Sequence, residues 1–140
     1  MVRQALKLSW AAPCSLVGLA LGIVLLAFGA RLRLVRGAIE IALKPSLSEC
    51  GRLARSLPYR AITFGHVILG VTAAEMVAAR DHEHVHVAQY ERWGVFFFLA
   101  YPLASLWQVL RGRDAYWDNP FEVEARAIPA TGPRPPPQRG

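Results

Sequence analysis

The stretch RDHEHVHVAQYERWG, residues 80–94, carries three of the four histidines of this 140-residue chain. Good helix formers run from about Ala74 to the break at Gly94 and predict one helix. On such a helix His82 and His86 lie on one face, separated by about 40° around the axis. Two imidazoles placed one turn apart can bind one metal ion together.

Glu83 completes the pattern H-E-x-x-H. It lies beside the ligand face and can take a proton from a water on the metal without being a ligand itself. His84 points about 160° away from His82, so it belongs to a different surface. Gln89 returns to the ligand face one turn after His86, where it would support a ligand or face a substrate. The alternative interpretation is a solvated helix face that binds no metal.

A catalytic zinc site takes three protein ligands and keeps one open position. The best segment for a third ligand is YWDNPFEVEARA, residues 116–127. Asn119 and Pro120 are typical of a helix start, which predicts a short helix here. Glu122 and Glu124 point about 200° apart on that helix, so only one of them can face the metal. We expect Glu122, with Glu124 as the alternative ligand.

Two further side chains of this segment bear on the site. In the absence of a metal, Glu122 would bond back to the helix cap or pair with Arg126 at i+4. Tyr116, at the start of the segment, is a candidate substrate-facing or ligand-supporting residue.

Residues 11–30, AAPCSLVGLALGIVLLAFGA, form an uncharged run long enough for a helix to cross a bilayer core. Arg3 and Lys7 precede this run, and three arginines follow it within residues 31–36. A cleaved signal peptide is the alternative. The sequence predicts an uncleaved membrane anchor over residues 1–30, with the lipid bilayer as a partner.

The composition agrees with a membrane protein. Hydrophobic residues make up 54% of the chain, and its formal net charge is +6. The basic residues are scattered and accompany no nucleic-acid motif, which argues against nucleic acid as a partner. Cys14 and Cys50 lack metal-ligand spacing, so a cysteine-ligated zinc is not supported.

The segments between the anchor and the histidine helix indicate strands. Residues 31–43 alternate between polar and apolar side chains around Arg36-Gly37, which predicts a β-hairpin. Residues 44–58 are polar and contain two prolines and a glycine, which interrupt regular structure. The capping-box spacing of Ser46 and Glu49 favours a short helix here. Residues 59–73 are β-branched and aromatic with apolar side chains on both faces, which predicts one covered strand.

Residues 93–110, WGVFFFLAYPLASLWQVL, are a second apolar run at the lower length limit for a span. With Pro102 inside, the run would be a kinked span, a re-entrant segment, a helix on the membrane face or the core of a small domain. Residues 129–140 are Pro-rich and predict a disordered tail.

The prediction is an α+β chain: an N-terminal transmembrane helix, a small β-sheet, the H-E-x-x-H helix, a second apolar helix and a short C-terminal helix. Residues 31–128 would form one metallopeptidase-like domain.

The sequence HEHVH, followed by FEVEA on a later helix, resembles the gluzincins. These zinc metallopeptidases carry H-E-x-x-H on one helix and a glutamate ligand on the next. The extended pattern HEHVHVAQYERWG…NPFEVEA also resembles a group of small, uncharacterised bacterial membrane proteins over roughly residues 62–127.

The resemblance implies a cofactor, a reaction and a location. His82, His86 and Glu122 would bind Zn²⁺, and Glu83 would act as the general base for zinc-activated water that attacks a peptide carbonyl. The strand within residues 61–69 would hold an extended peptide or protein substrate beside the active helix. The location implied is the bacterial inner membrane.

One position departs from the resemblance. Membrane-embedded gluzincins often show E-x-x-A-D on the second helix, and Glu122 with Ala125 matches E-x-x-A, but Arg126 stands in place of the Asp that supports a ligand histidine. Two functions therefore stay open: a membrane-anchored zinc-dependent peptidase, or a non-enzymatic membrane protein with a structural or partner-binding zinc site. An open metal position beside a cleft would favour the first function, and a filled fourth position the second.

Overall fold

The computed structural model describes residues 2–44 and 60–128, which form an α+β fold. Its elements in chain order are helix α1 (Val2–Ala27), strands β1 (Arg31–Val35), β2 (Ala38–Lys44), β3 (Ala61–Phe64) and β4 (Val67–Thr72), helix α2 (Ala73–Trp93), a short 3-10 helix (Gly94–Phe96), and helices α3 (Phe97–Leu110) and α4 (Pro120–Ala127). The predicted short helix within residues 44–58 and the predicted tail over residues 129–140 lie outside the described residues.

The four strands form one mixed sheet in the order β1-β2-β4-β3. β1 and β2 form the predicted hairpin, with Arg36 and Gly37 at positive φ in its turn. β3 and β4 form a second antiparallel hairpin, and β2 pairs in parallel with β4. The prediction of one covered strand over residues 59–73 was wrong, because Gly65, at φ +60°, reverses the chain in the middle of that segment.

The apolar character of that segment has a structural reason. β4 is central in the sheet, and alternate residues of a strand point to opposite faces. Val67 and Leu69 pack with Ile41 and with leucines of α1, whereas Ile68 packs with Ala38 and Met76 of α2. Helices therefore cover both faces of β4, which explains why it lacks polar alternation.

The first helix packs closely against the sheet through small residues. A Cβ atom at Gly18 would lie 2.7 Å from the Cβ of Val67, so only glycine fits at this crossing. Ser15 accepts a hydrogen bond from the backbone N–H of His66 at 3.0 Å, which ties α1 to the turn between β3 and β4. Helix α1 is thus part of the folded unit as well as the predicted anchor.

Helix α2 begins and ends as its sequence predicts. The Thr72 side chain caps it by accepting a hydrogen bond from the N–H of Glu75 at 3.1 Å, and Gly94 ends it. The 3-10 turn then redirects the chain into α3, which contains Pro102. Two helical segments, Ser9–Ala27 and Ala73–Leu110, are long and apolar enough to cross a membrane by length and composition.

The last helix starts at the predicted cap. The Asn119 side chain accepts a hydrogen bond from the N–H of Phe121 at 2.9 Å, and Pro120 occupies the first turn. The amide of Asn119 also donates to Ser105 of α3 at 2.8 Å, and Asn119 is fully buried. This single residue therefore starts α4 and fixes it against α3, which positions Glu122 in its first turn.

Candidate metal centre

Three side chains from two helices meet at one point. His82 and His86, one turn apart on α2, place their Nε2 atoms 3.1 Å from each other. The Glu122 carboxylate of α4 lies between them, with Oε2 3.2 Å from His82 Nε2 and Oε1 3.3 Å from His86 Nε2. Among the described residues, this is the group of histidine, cysteine and acidic side chains that is arranged to hold a metal ion.

The three separations fit a zinc ion. At metal–ligand distances of about 2.0–2.1 Å, neighbouring ligands of a tetrahedral zinc lie roughly 3.3 Å apart. Glu122 and His86 are buried, with 3% and 7% of their surfaces exposed. Glu122 Oε2 is buried and has no hydrogen-bond partner among the described residues, as expected of an oxygen kept for a metal. Two imidazoles and one carboxylate are a donor set that zinc enzymes use.

Gln89 fixes the protonation of His86. Its side-chain nitrogen donates to the carbonyl of Phe121 at 3.0 Å and to Glu124 Oε2 at 2.8 Å, so its oxygen must face the histidine. That oxygen lies 2.8 Å from His86 Nδ1 and can only accept, so Nδ1 carries the proton. The lone pair of Nε2 is then directed toward the triad, as metal binding requires.

Glu124, the alternative ligand, lies outside the triad. Its Oε2 accepts from Gln89 and its Oε1 pairs with Arg92 at 2.9 Å. The two carboxylates of α4 therefore have different partners, as their opposite directions on the helix predict. Gln89 contacts His86 and Glu124 contacts Gln89, so Glu124 reaches the histidine only through the Gln89 amide.

Glu83 is held beside the triad by β3. The Thr63 hydroxyl donates to Glu83 Oε2 at 2.8 Å, and only 6% of Glu83 is exposed. Glu83 does not join the metal-ligating group. One carboxylate oxygen of Glu83 is thus oriented by the strand, and Glu83 lines the same cavity as the triad.

Two tyrosines contact Glu122. The Tyr101 hydroxyl of α3 donates to Glu122 Oε1 at 2.6 Å. Tyr116 bonds the same carboxylate, and burial together with this negative neighbour raises the pKa of Tyr116 to about 12. Burial alone would raise the pKa of Glu122, but the neighbouring imidazoles of His82 and His86 and the hydrogen bond from Tyr101 hold it well below its usual range. Glu122 is therefore anionic at neutral pH, as a zinc ligand must be.

Arg126 lies behind the ligand carboxylate. Its Nη1 is 3.8 Å from Glu122 Oε2, and its Nη2 donates to the carbonyl of Trp117. The guanidinium lies over the Trp117 ring at 4.7 Å from the ring centroid. Arg126 therefore contacts Glu122 and not a histidine, so it does not replace the carboxylate of the gluzincin pattern.

The triad opens into a cavity of about 300 Å³. Strand β3, the histidine face of α2 and the inner face of α3 line it, and His82, Glu83, His86, Tyr116 and Glu122 share its wall. Space for a water or a substrate group therefore exists beside the three ligands.

The other two histidines lie elsewhere. His84 is on the opposite side of α2, and its Nε2 is buried with no hydrogen-bond partner among the described residues. His66, in the turn between β3 and β4, lies 3.3 Å from Glu91, which also pairs with Lys7 at 2.7 Å. Neither belongs to the triad.

Sequence reasoning missed Thr63, and it gave Tyr101 no role. Thr63 was one polar residue in an apolar strand, and Tyr101 lay inside an apolar run, so neither carried a local signal. Their contacts with Glu83 and Glu122 depend on how β3 and α3 pack around α2. Comparisons of the chain with protein families, curated proteins and solved structures find no match.

Proposed function

We propose that the chain is a membrane-anchored, zinc-dependent peptidase of the H-E-x-x-H type. The observation that carries the proposal is the meeting of His82 Nε2, His86 Nε2 and the Glu122 carboxylate at 3.1–3.3 Å. The adjoining cavity favours an enzyme over a closed structural zinc site, in which a fourth protein ligand would fill the remaining position. Among the described residues, three candidate ligands meet at this point.

A zinc ion in this site would lower the pKa of a bound water to about 7 and polarise a substrate carbonyl. The chain's own residues prepare the site for that chemistry. Gln89 keeps the proton of His86 on Nδ1, and Tyr101 and Tyr116 hold the Glu122 carboxylate. Glu83, oriented by Thr63, would take the proton of the attacking water and deliver it to the leaving amine.

Strand β3 offers a place for an extended substrate. It is at the edge of the sheet, and among the described strands only β4 pairs with it. The backbone N–H of Val71 donates to the carbonyl of Arg60, so Arg60 and Val71 form a hydrogen-bonded pair of the antiparallel ladder. Because hydrogen-bonded pairs alternate with non-hydrogen-bonded pairs, the N–H and C=O groups of Ala61 and Thr63 face away from β4. A polypeptide that pairs with this edge would pass the triad, which lies across the cavity from β3.

Membrane attachment rests on the outer faces of two helices. In the most apolar stretch of Ser9–Ala27 only 22% is buried within the protein, and in that of Ala73–Leu110 only 17% is buried. Packing therefore leaves most of the apolar surface of both segments uncovered. A bilayer would cover it. Full-length protein should stay in the pellet after carbonate washing of membranes, and recovery in the wash would contradict attachment.

The test of the enzymatic proposal is Glu83→Gln in the purified full chain. We expect hydrolysis of a peptide library to fall by about 10²–10⁴-fold, because glutamine keeps the shape but cannot accept the proton. Zinc content should be unchanged, since Glu83 is not a ligand. Glu75→Gln is the matched control on the same helix, because Glu75 pairs with Arg60 outside the triad, and it should keep full activity. Undiminished hydrolysis by Glu83→Gln would overturn the mechanism.

A further inference from the structure

A second cavity lies at the end of the molecule where α1 ends and α2 begins. It measures about 310 Å³, and its walls are the turn after α1, the β1–β2 hairpin and the N-terminal turns of α2. Among the described residues, none lines both this hairpin cavity and the cavity of the triad. Its described lining carries four cations, Arg31, Arg33, Lys44 and Arg80, and one anion, Glu40. The hairpin cavity is therefore cationic.

The charges of the hairpin cavity are matched only in part. The buried Glu40 takes two bonds from Arg80, at 2.8 and 2.9 Å. The other three cations, Arg31, Arg33 and Lys44, are exposed. Within residues 2–44 and 60–128 their side chains have no carboxylate partner. An anion that entered the cavity would meet three cations that remain free for it.

Strand β1 separates these cations from an apolar surface, because successive side chains of a strand point to opposite faces. Arg31 and Arg33 line the cavity, on the side of the sheet toward α2. Leu32 and Leu34 lie opposite isoleucines that pack with α1, so they point to the other side, where 50% and 73% of them are exposed. Phe28, in the turn before β1, is also 73% exposed.

This arrangement matches the boundary between acyl chains and headgroups of a bilayer. The uncharged run of α1 ends at residue 30, so the proposed membrane attachment brings β1 to the headgroup level. Exposed leucine and phenylalanine side chains would contact acyl chains there, and the adjacent cations would reach lipid phosphates. Two neighbouring guanidinium groups suit the oxygens of a phosphate. Ala73 also lines the cavity, so the positive end of the α2 dipole faces the same space.

A second copy of the chain fits this edge of the sheet less well. Among the described strands, β1 pairs only with β2. Antiparallel pairing with β1 of another copy would place Arg31 and Arg33 among the same two residues of that copy, and like charges across a strand pair are destabilising. An anionic ligand removes this repulsion. The exposed edge therefore suits an anion better than a copy of itself.

From these observations we infer that the hairpin cavity binds the phosphate of an anionic membrane lipid, with Arg31, Arg33 and Lys44 as its partners. The inference rests on membrane attachment and is independent of the peptidase function, since neither zinc nor Glu83 takes part. The apolar side chains beside the cations favour a lipid over a free phosphate, which would use the cations alone.

The experiment is native mass spectrometry of the full chain, released from detergent micelles that contain phosphatidylglycerol and phosphatidylcholine with the same acyl chains. We expect bound phosphatidylglycerol in preference to phosphatidylcholine. Arg31→Gln/Arg33→Gln should weaken phosphatidylglycerol binding about 30-fold, and Lys44→Gln alone about fivefold. Zinc content should not change in either variant, because these residues lie outside the triad.

The matched control is Arg111→Gln/Arg113→Gln, which removes the same charge from exposed positions that do not line the hairpin cavity. It should keep the preference for phosphatidylglycerol. Equal losses in the two double variants would assign the effect to net charge and overturn the site. Displacement of the lipid by an equimolar amount of inorganic phosphate would overturn the lipid as ligand. A wild-type dimer that forms without lipid and excludes phosphatidylglycerol would assign the β1 edge to a second copy.

Discussion

The two faces of α2 both carry a histidine and charged side chains, yet they differ in how their charges are matched. On the face toward the first hairpin, Arg80 forms two bonds with the buried Glu40 at 2.8 and 2.9 Å. Asp81 on this side pairs with Arg36 at 2.8 Å. Each carboxylate there has an arginine partner, so no ligand set is left for a metal.

The opposite face leaves a carboxylate among imidazoles. Glu122 meets His82 and His86 at 3.2 and 3.3 Å, whereas its arginine neighbour, Arg126, stays 3.8 Å from Oε2, and this buried oxygen has no hydrogen-bond partner among the residues described. A metal ion would satisfy all three groups at once. The comparison shows that a histidine near acidic residues does not by itself form a group that could hold a metal ion, whereas two imidazoles that converge on one carboxylate do form such a group.

The largest expected difference between the faces is the effect of removing a histidine. His86→Ala removes one of three ligands and should weaken zinc binding by far more than about 100-fold, the upper range for loss of a supporting contact. His84→Ala should leave zinc affinity unchanged. Zinc titration against a competing chelator measures both variants. Loss of the metal in His84→Ala with retention in His86→Ala would reverse the assignment of faces.

The next comparison is between the two carboxylates of α4. Glu122→Gln should also lower zinc affinity more than about 100-fold, whereas Glu124→Gln, which alters the support of Gln89 and the surface pair with Arg92, should lower it about tenfold. The same chelator competition applies. The ligand assignment fails if Glu124→Gln releases zinc and Glu122→Gln holds it at wild-type affinity.

The distinction between Glu122 and Glu124 shows how much of the site can be predicted from the sequence. Asn119-Pro120 predicted the start of α4, and the helical period then separated the directions of Glu122 and Glu124. The support from Thr63 and Tyr101 could not be predicted, because it arises from packing between elements distant in the chain. The prediction of one strand over residues 59–73 was wrong because apolar side chains on both faces are typical of a covered strand. The turn at Gly65, which divides the segment into two strands, was not recognised.

A smaller effect is expected from the amide behind His86. Gln89→Leu removes the acceptor that holds the Nδ1 proton and should weaken zinc binding about 10–100-fold. The double variant Gln89→Glu/Glu124→Gln exchanges the carboxylate and the amide, so an acceptor again faces Nδ1 and an amide again faces its neighbour, but the carbonyl of Phe121 loses its donor. The double variant should recover part of the affinity lost in Gln89→Leu. Affinity that stays at the Gln89→Leu level would show that Gln89 acts through packing alone.

The smallest expected effect on zinc comes from the face whose charges are matched. Glu40→Gln leaves Arg80 without its carboxylate and should lower the free energy of unfolding by about 2–3 kcal/mol, below the range for a fully buried pair because Arg80 is 23% exposed. Zinc affinity of the folded variant should not change. Denaturant unfolding and chelator titration together test this separation, and a large loss of zinc affinity would mean that the two faces are coupled.

We propose that two imidazoles and one carboxylate bind a single zinc ion. X-ray absorption at the zinc edge of full-length protein loaded with one equivalent of zinc tests this coordination. We expect nitrogen and oxygen neighbours at about 2.0–2.1 Å with scattering from two imidazole rings, unchanged in His84→Ala. A shell without imidazole, a sulfur neighbour at about 2.3 Å, or protein that retains no zinc would contradict it.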